Sequence, residues 1–136
     1  MNEMLSRDRA WALVTEHVKS ESLRKHLLAV EAAVRGYARM WGEDEDAWGF
    51  VALVHDFDYE KHPDRENHPF RGVEWLQALG YPEWVTRAIL SHADYSGVAR
   101  ESRLEKVLNA LTQRRLPAVE RTDAGRPPRV ASRGNG

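Results

Sequence analysis

Residues 47–57, AWGFVALVHDF, form the most apolar stretch of the sequence and end with a His-Asp pair and a phenylalanine. Wound as a helix, this stretch is apolar nearly all round, which is typical of a helix at the centre of a bundle. The acidic run 43–46 in front of it suits a helix N-terminus, because the helix dipole favours negative charge there. An aspartate at the end of a buried helix is costly unless its charge is paired or binds a metal ion. The stretch therefore predicts a central helix that ends in a chemical site at His55 and Asp56.

Two helices are predicted before this central one. Ser6 suits the N-cap of a first helix that runs to about Lys19. Ser20 or Ser22 opens a second helix, LRKHLLAVEAAVRGYARMW, and Gly42 suits the left-handed residue that ends it. Each helix carries apolar residues at helical spacing, so both are expected to pack against a common core.

Three more helices are predicted after a polar loop. A fourth helix covers about residues 70–79 and ends before Gly80. Pro82 suits the first residue of a fifth helix, and Ser102 caps a sixth, RLEKVLNAL at 103–111. No stretch alternates apolar and polar residues in the manner of a strand. The predicted fold class is therefore an all-α bundle of about six helices.

Length and composition favour one domain over residues 1–111, followed by a tail over residues 112–136. The domain carries 14 Lys and Arg against 19 Asp and Glu, which gives no electrostatic reason to bind nucleic acid. The tail carries six Arg against two acids and is rich in Pro and Gly, a composition that predicts disorder. A secretory signal pattern and an apolar membrane span are both missing, so we expect a cytoplasmic protein with no membrane partner. The five tryptophans fit a core or an oligomer interface, and we take the core as the default.

Four histidines lie where a plain helical bundle does not need them. His26 lies among apolar residues of the second helix, and His55 precedes Asp56 at the end of the third. His68 precedes Pro69 in front of the fourth helix, and His92 ends the apolar face of the fifth. The sequence has no cysteine, so a metal ion must bind through imidazole and carboxylate, the ligands of Mn, Fe, Co, Ni or Zn. The alternative is that each is a hydrogen-bonded core histidine. The two other histidines of the sequence, His17 and His62, are assigned to solvent.

Three strings together resemble the HD-domain superfamily of metal-dependent phosphohydrolases, in particular its stand-alone hydrolase-like members. They are HLLAVEAAVRGYA at 26–38, WGFVALVHDFDYEKHP at 48–63 and ENHPFRGVEWLQALGYPEWVTRAILSHADYSGV at 66–98. The resemblance runs from about Leu23 to Leu111 and implies a bundle of five or more helices. It also implies metal-dependent hydrolysis of a small phosphate ester such as a nucleotide.

The resemblance implies a set of ligands for one or two divalent metal ions per chain. By it, His26, His55 and Asp56 bind a first ion, and His68 and His92 help to bind a second. Asp56 bridges two ions in such members of the family and so takes a catalytic role.

Three charged residues near these ligands are candidates for chemistry as well. Asp58 and Lys61 are candidate catalytic residues, and Lys61 or Arg71 could meet the phosphate of a substrate. Solvated surface charge is the alternative role for both cations. The predicted partner is thus a small phosphorylated compound.

The sequence departs from the family pattern at Thr112, where the family has a further metal-binding aspartate. No acid follows until Glu120, and the remaining sequence is atypical. A frameshift, a misjoined gene model or divergence would each produce such an end. Two alternatives to an enzyme therefore stay open: a degenerate module that binds metal or nucleotide without turnover, and a purely structural helical protein.

Overall fold

The computed structural model describes the backbone of residues 3–120 and the side chains of residues 3–112. Within these limits the chain is helical with no strand, which confirms the predicted all-α class. None of the described helices is long and apolar enough to cross a membrane. Two short 3-10 helices, Glu3–Leu5 and Asp94–Ser96, accompany α1 Arg7–His17, α2 Glu21–Trp41, α3 Glu45–Val54, α4 Phe70–Ala78, α5 Glu83–Ser91 and α6 Arg103–Glu120.

The helix ends follow the capping signals of the sequence. The side chains of Ser6, Ser20 and Asp44 each accept a hydrogen bond from the backbone N–H three residues further on, at 3.1–3.2 Å. Each bond satisfies one of the donors that a helix leaves free in its first turn. Gly42 ends α2 in the left-handed conformation at φ 71°, which glycine adopts without steric cost.

Helix α3 lies at the centre of the bundle. Every residue from Ala47 to Val54 is buried, and α3 contacts α1, α2 and α5. Helix α5 also contacts α4 and α6, and α6 contacts α2. The C-terminal end of α3 is therefore enclosed by neighbouring helices, and the residues that follow it enter the interior of the bundle.

An ion-pair network fastens the first three helices together. The buried carboxylate of Glu31 accepts hydrogen bonds from Arg7 at 2.7 Å and from Arg35 at 2.8 Å. Arg35 also reaches Asp46 at the start of α3, at 3.2 Å. A Cβ on Gly49 would collide with the guanidinium of Arg35, so the glycine lets α2 and α3 approach closely. The network fixes α3 relative to α2, the two helices that carry His26 and His55.

Helix α6 is longer than the sequence predicted. It continues to Glu120, whereas its predicted end was near Leu111. Leu108 and Thr112 lie one turn apart and are both buried, so the packed face of the helix does not stop at residue 111. Residues 113–116, QRRL, are good helix formers and extend it at little cost. The predicted tail therefore begins as helix, and its part beyond α6 lies outside the described residues.

Two of the five tryptophans do not belong to the core. Trp48 is buried, and Trp11 and Trp75 pack against the core from its edge. Trp41 and Trp84 remain about two-fifths exposed, so the default assignment to the core is wrong for both. Trp41 instead lies under the guanidinium of an arginine of α6, 5.0 Å from its ring centre.

Candidate metal centre

The structure brings together all five residues that the sequence proposed as metal ligands. The Nε2 atoms of His26 and His55 lie 3.8 and 3.3 Å from Oδ2 of Asp56. Those of His68 and His92 lie 3.2 and 3.3 Å from its Oδ1. Four imidazoles from four parts of the fold thus surround one carboxylate.

The cluster divides into two groups of three potential ligands that share Asp56. In the first, atoms of His26, His55 and Asp56 lie within 4.8 Å of one another; in the second, atoms of Asp56, His68 and His92 do so. The side chain of Asp56 is 4% exposed and that of His55 is not exposed at all. Each group offers imidazole nitrogen and carboxylate oxygen, a set that suits first-row divalent metals.

The turns after α3 explain how neighbouring residues can all face the interior. The chain continues in tight turns, in which the N–H of Tyr59 donates to the carbonyl of Asp56 at 3.0 Å. The N–H of His62 donates to the carbonyl of Asp58 at 2.8 Å. Residues 55–58 are all buried as a result, and the site begins directly where the central helix ends.

Backbone carbonyls fix the orientation of two of the histidines. Nδ1 of His55 lies 2.6 Å from the carbonyl oxygen of Ala52, and Nδ1 of His92 lies 2.5 Å from that of Ile89. A carbonyl can only accept a hydrogen bond, so Nδ1 of each ring carries the proton. Nε2 of each ring is left to face Asp56, at 3.3 Å in both cases. Such a contact is typical of metal-binding histidines.

His68 is oriented by a carboxylate instead. Its Nδ1 donates to Asp58 at 2.6 Å, and the second oxygen of Asp58 accepts from the N–H of Gly72 at 2.9 Å. The hydroxyl of Tyr95 donates to the carbonyl of His68 at 2.7 Å. Asp58, which the sequence suggested as catalytic, is fully committed to these two bonds, so the geometry gives it a positioning role.

The electrostatics of the cluster favour an ionised Asp56. Burial opposes its ionisation, but the surrounding histidines, His55 foremost, hold its pKa well below the ordinary value. Burial also opposes a charge on His68, yet the hydrogen bonds that its ring donates to Asp56 and Asp58 raise its pKa to about 9. Burial lowers the pKa of His92, so its ring is neutral at pH 7. The cluster therefore combines buried negative charge with a neutral imidazole.

These contacts test whether the residues fit a metal ion. Nε2 of His92 faces Oδ1 of Asp56 at 3.3 Å. Nε2 of His55 is buried without a hydrogen bond and faces the same carboxylate. A buried nitrogen without a hydrogen-bond partner beside a buried carboxylate is a pair that a bound cation would satisfy. The residues therefore fit a divalent metal ion.

A cavity of about 260 Å³ opens onto one side of the cluster. Asp56, His68 and His92 line it together with Thr112, so α6 brings Thr112 to the same cavity. The hydroxyl of Thr112 donates to the carbonyl of Leu108, 2.9 Å away in its own helix. At the position where the resemblance places a metal-binding aspartate, the structure has a hydroxyl that bonds back to α6.

The sequence interpretation missed the residues that line the outer part of the cavity. Tyr59 and Arg65 come from the loop between α3 and α4, and Tyr95 comes from the segment after α5. Both segments were recognised as loops next to proposed ligands. An arginine and two tyrosines in such loops were the available signal for a ligand-binding rim.

The structure does not bring Lys61 and Arg71 to the cavity. Nζ of Lys61 lies 3.0 Å from Nδ1 of His17 and 5.6 Å above the ring of Trp75. Arg71 is exposed and pairs with Glu74 at 2.8 Å. Neither cation is among the residues lining the cavity in the described part of the chain. The assignment of His17 to solvent is wrong, since its half-buried ring stacks on Trp75 at 4.1 Å.

The fold and the cluster together define a helical domain with a candidate His/Asp metal centre. The family model of the HD domain matches residues 23–123, about three quarters of the chain. The protein therefore belongs to the HD domain family. The match continues past Leu111, where we expected the likeness to stop, and it includes Thr112 and the rest of α6. Comparison with curated proteins and with solved structures gave no match.

Proposed function

We propose that the protein is a metal-dependent phosphohydrolase that acts on a small phosphate ester such as a nucleotide. The observation that carries the proposal is the convergence of four histidine Nε2 atoms on the buried carboxylate of Asp56, at 3.2–3.8 Å. Membership of a family of phosphohydrolases supports the same reaction class.

The five residues of the cluster form two neighbouring groups of potential ligands. His26, His55 and Asp56 would hold one divalent ion, and Asp56, His68 and His92 would hold a second. When bound, a divalent ion lowers the pKa of water and offsets negative charge on phosphoryl oxygens. The chain itself buries the carboxylate, fixes the imidazoles and lines the cavity in which the ester would lie.

Replacing Asp56 by asparagine tests the proposal. The amide offers a dipole where the metal ions had a full negative charge, so Asp56→Asn should lose most bound metal and nearly all hydrolysis. Elemental analysis of protein purified without chelator gives the metal content. Release of phosphate from a panel of nucleotides and other monoesters, with added Mn²⁺ or Co²⁺, gives the activity.

Asp8→Asn is the matched control, because Asp8 is an exposed acid in the first turn of α1. It should keep the metal content and activity of the unmodified protein, and circular dichroism should show the helices intact in both variants. Equal metal content in Asp56→Asn and the unmodified protein would refute the metal centre. Bound metal without release of phosphate from any ester would refute the enzyme.

A second candidate is a module that binds metal without turnover, and Thr112 is the observation that favours it. Its hydroxyl bonds to the carbonyl of Leu108, so this position of α6 offers the cavity a hydroxyl and not a carboxylate. Thr112→Asp should then raise metal affinity and create hydrolysis that the unmodified protein lacks. If the unmodified protein already hydrolyses the ester at a rate that Thr112→Asp does not raise, the non-catalytic candidate is excluded.

A further inference from the structure

The described chain has a cation at the rim of the cavity that no part of the metal centre uses. We propose that Arg65 binds the phosphoryl oxygens of the substrate and that Tyr95 positions it. This inference rests on the proposed function and adds a substrate-binding residue to it. It replaces Lys61 and Arg71, which the fold places elsewhere.

Arg65 is the one lysine or arginine among the residues that line the cavity in the described chain. The described residues place no carboxylate in an ion pair with it, although most other arginines of the bundle have such a partner. Asp94, the exposed acid at the same rim, is paired with Arg100. Within the described residues the positive charge of Arg65 is therefore not neutralised by an ion pair and is available to an anion.

The ring of Tyr95 holds this charge beside the metal centre. The guanidinium of Arg65 lies over the ring, 4.9 Å from its centre, at a distance typical of a cation–π contact. The hydroxyl of Tyr95 donates to the carbonyl of His68 at 2.7 Å. One tyrosine thus connects Arg65 to the backbone of a proposed metal ligand.

The chemistry of the guanidinium points to a phosphate group. Its planar array of donors matches the oxygens of a phosphate, and hydrogen bonds between charged partners are stronger than neutral ones. A cavity of about 260 Å³ lies just below the range of about 300–1,000 Å³ for small-molecule sites, so it suits a small ligand. The ligand class is therefore a small phosphate monoester, with its phosphoryl group between Arg65 and the cluster.

Inorganic phosphate is the probe for this site, because it is a product of the proposed reaction and needs no turnover. Calorimetric titration of the purified protein gives its Kd, and kinetics on the best monoester give KM and kcat. Arg65→Gln should weaken phosphate binding about tenfold to a hundredfold, since it removes charge-assisted hydrogen bonds. KM should rise by a similar factor while kcat changes only a few fold, as expected for a contact made in both ground and transition states.

The control is Arg39→Gln, because Arg39 is an exposed arginine of α2 that pairs with Glu45 and is not among the residues that line the cavity. It should leave the Kd for phosphate unchanged. Tyr95→Phe keeps the ring beneath Arg65 and should bind phosphate nearly as well as the unmodified protein. Tyr95→Leu removes the ring and should weaken binding several fold, so the two variants separate positioning by the ring from the hydrogen bond to His68.

The outcomes separate this inference from the proposed function. If no ester is hydrolysed but phosphate binds and Arg65→Gln weakens it, the anion site stands and the enzyme is refuted. An unchanged Kd in Arg65→Gln, or no binding of phosphate by the unmodified protein, overturns the role of Arg65. Loss of metal in Arg65→Gln also overturns it, because the effect would then act through the metal centre. Equal weakening in Tyr95→Phe and Tyr95→Leu overturns positioning by the ring.

Discussion

Asp58→Asn distinguishes a positioning role from a catalytic one, because both oxygens of Asp58 already accept hydrogen bonds. They accept from Nδ1 of His68 at 2.6 Å and from the N–H of Gly72 at 2.9 Å. An asparagine has one accepting oxygen, so either orientation of its amide places an NH₂ group against one of these donors. The buried donor that loses its acceptor costs about 1–3 kcal/mol of unfolding free energy. Urea unfolding of metal-free protein measures this loss directly.

The same substitution should weaken metal binding without abolishing it. Loss of the partner that orients a metal-binding histidine typically lowers metal affinity about 10–100-fold. Asp58→Asn should show a decrease of that size in a titration against a metal indicator, whereas Asp56→Asn should lose most bound metal. With metal restored to saturation, a positioning role predicts that most of the activity returns. Metal affinity equal to that of the unmodified protein would refute the role of Asp58 in orienting His68.

Two further predictions concern stability around the site. Gly72→Ala places a Cβ 2.9 Å from the ring of Phe57, so urea unfolding should show a loss of about 1–3 kcal/mol of unfolding free energy. Gly36→Ala has nothing within 4 Å of its Cβ and should instead gain up to about 1 kcal/mol. Equal effects of the two substitutions would contradict the packing argument. Burial of Glu105 opposes the ionisation of its carboxyl group, but two backbone N–H groups and Arg87 lower its pKa below 4.5. Its charge therefore stabilises the fold above that value, and the contribution disappears as the pH falls through the lowered pKa. Glu105→Gln should reduce the unfolding free energy by about 1 kcal/mol at pH 7 and by progressively less below pH 4.5, and a difference that does not change with pH would contradict this account.

The sequence predicted those parts of the fold that depend on local interactions. Serine caps, a left-handed glycine and an apolar stretch act within a few residues, so the starts of the first two helices and the central position of α3 could be read directly. The end of α6 could not, because it depends on the burial of Leu108 and Thr112 against other parts of the bundle. The sequence showed only good helix formers followed by prolines, and the prolines were given too much weight.

The same distinction between local and long-range interactions applies to the candidate site. The five proposed ligands lie at helix ends and on an apolar helix face, where periodicity and composition already pointed inward. The roles of Lys61 and Arg71 were inferred from their nearness in the sequence, but neither is among the described residues that line the cavity. Lys61 contacts His17, and Arg71 pairs with Glu74 within α4. Arg65 lies between them in the sequence and reaches the rim through a contact with Tyr95, thirty residues further on. A contact between residues that far apart in the sequence leaves no signal in the local sequence pattern.

The same local hydrogen bond orients two of the four imidazoles of the cluster. His55 and His92 each follow directly on a helix, and each ring donates from Nδ1 to the carbonyl three residues earlier. The last carbonyls of a helix have no partner within it, so the imidazole satisfies one of them. The same bond turns Nε2 towards Asp56, and the helix end and the proposed ligand are thus fixed by a single contact. His68 precedes a helix, and its ring is oriented instead by a buried carboxylate, that of Asp58. A histidine directly after an apolar helix is therefore a stronger indication of an oriented ligand than a histidine in front of one.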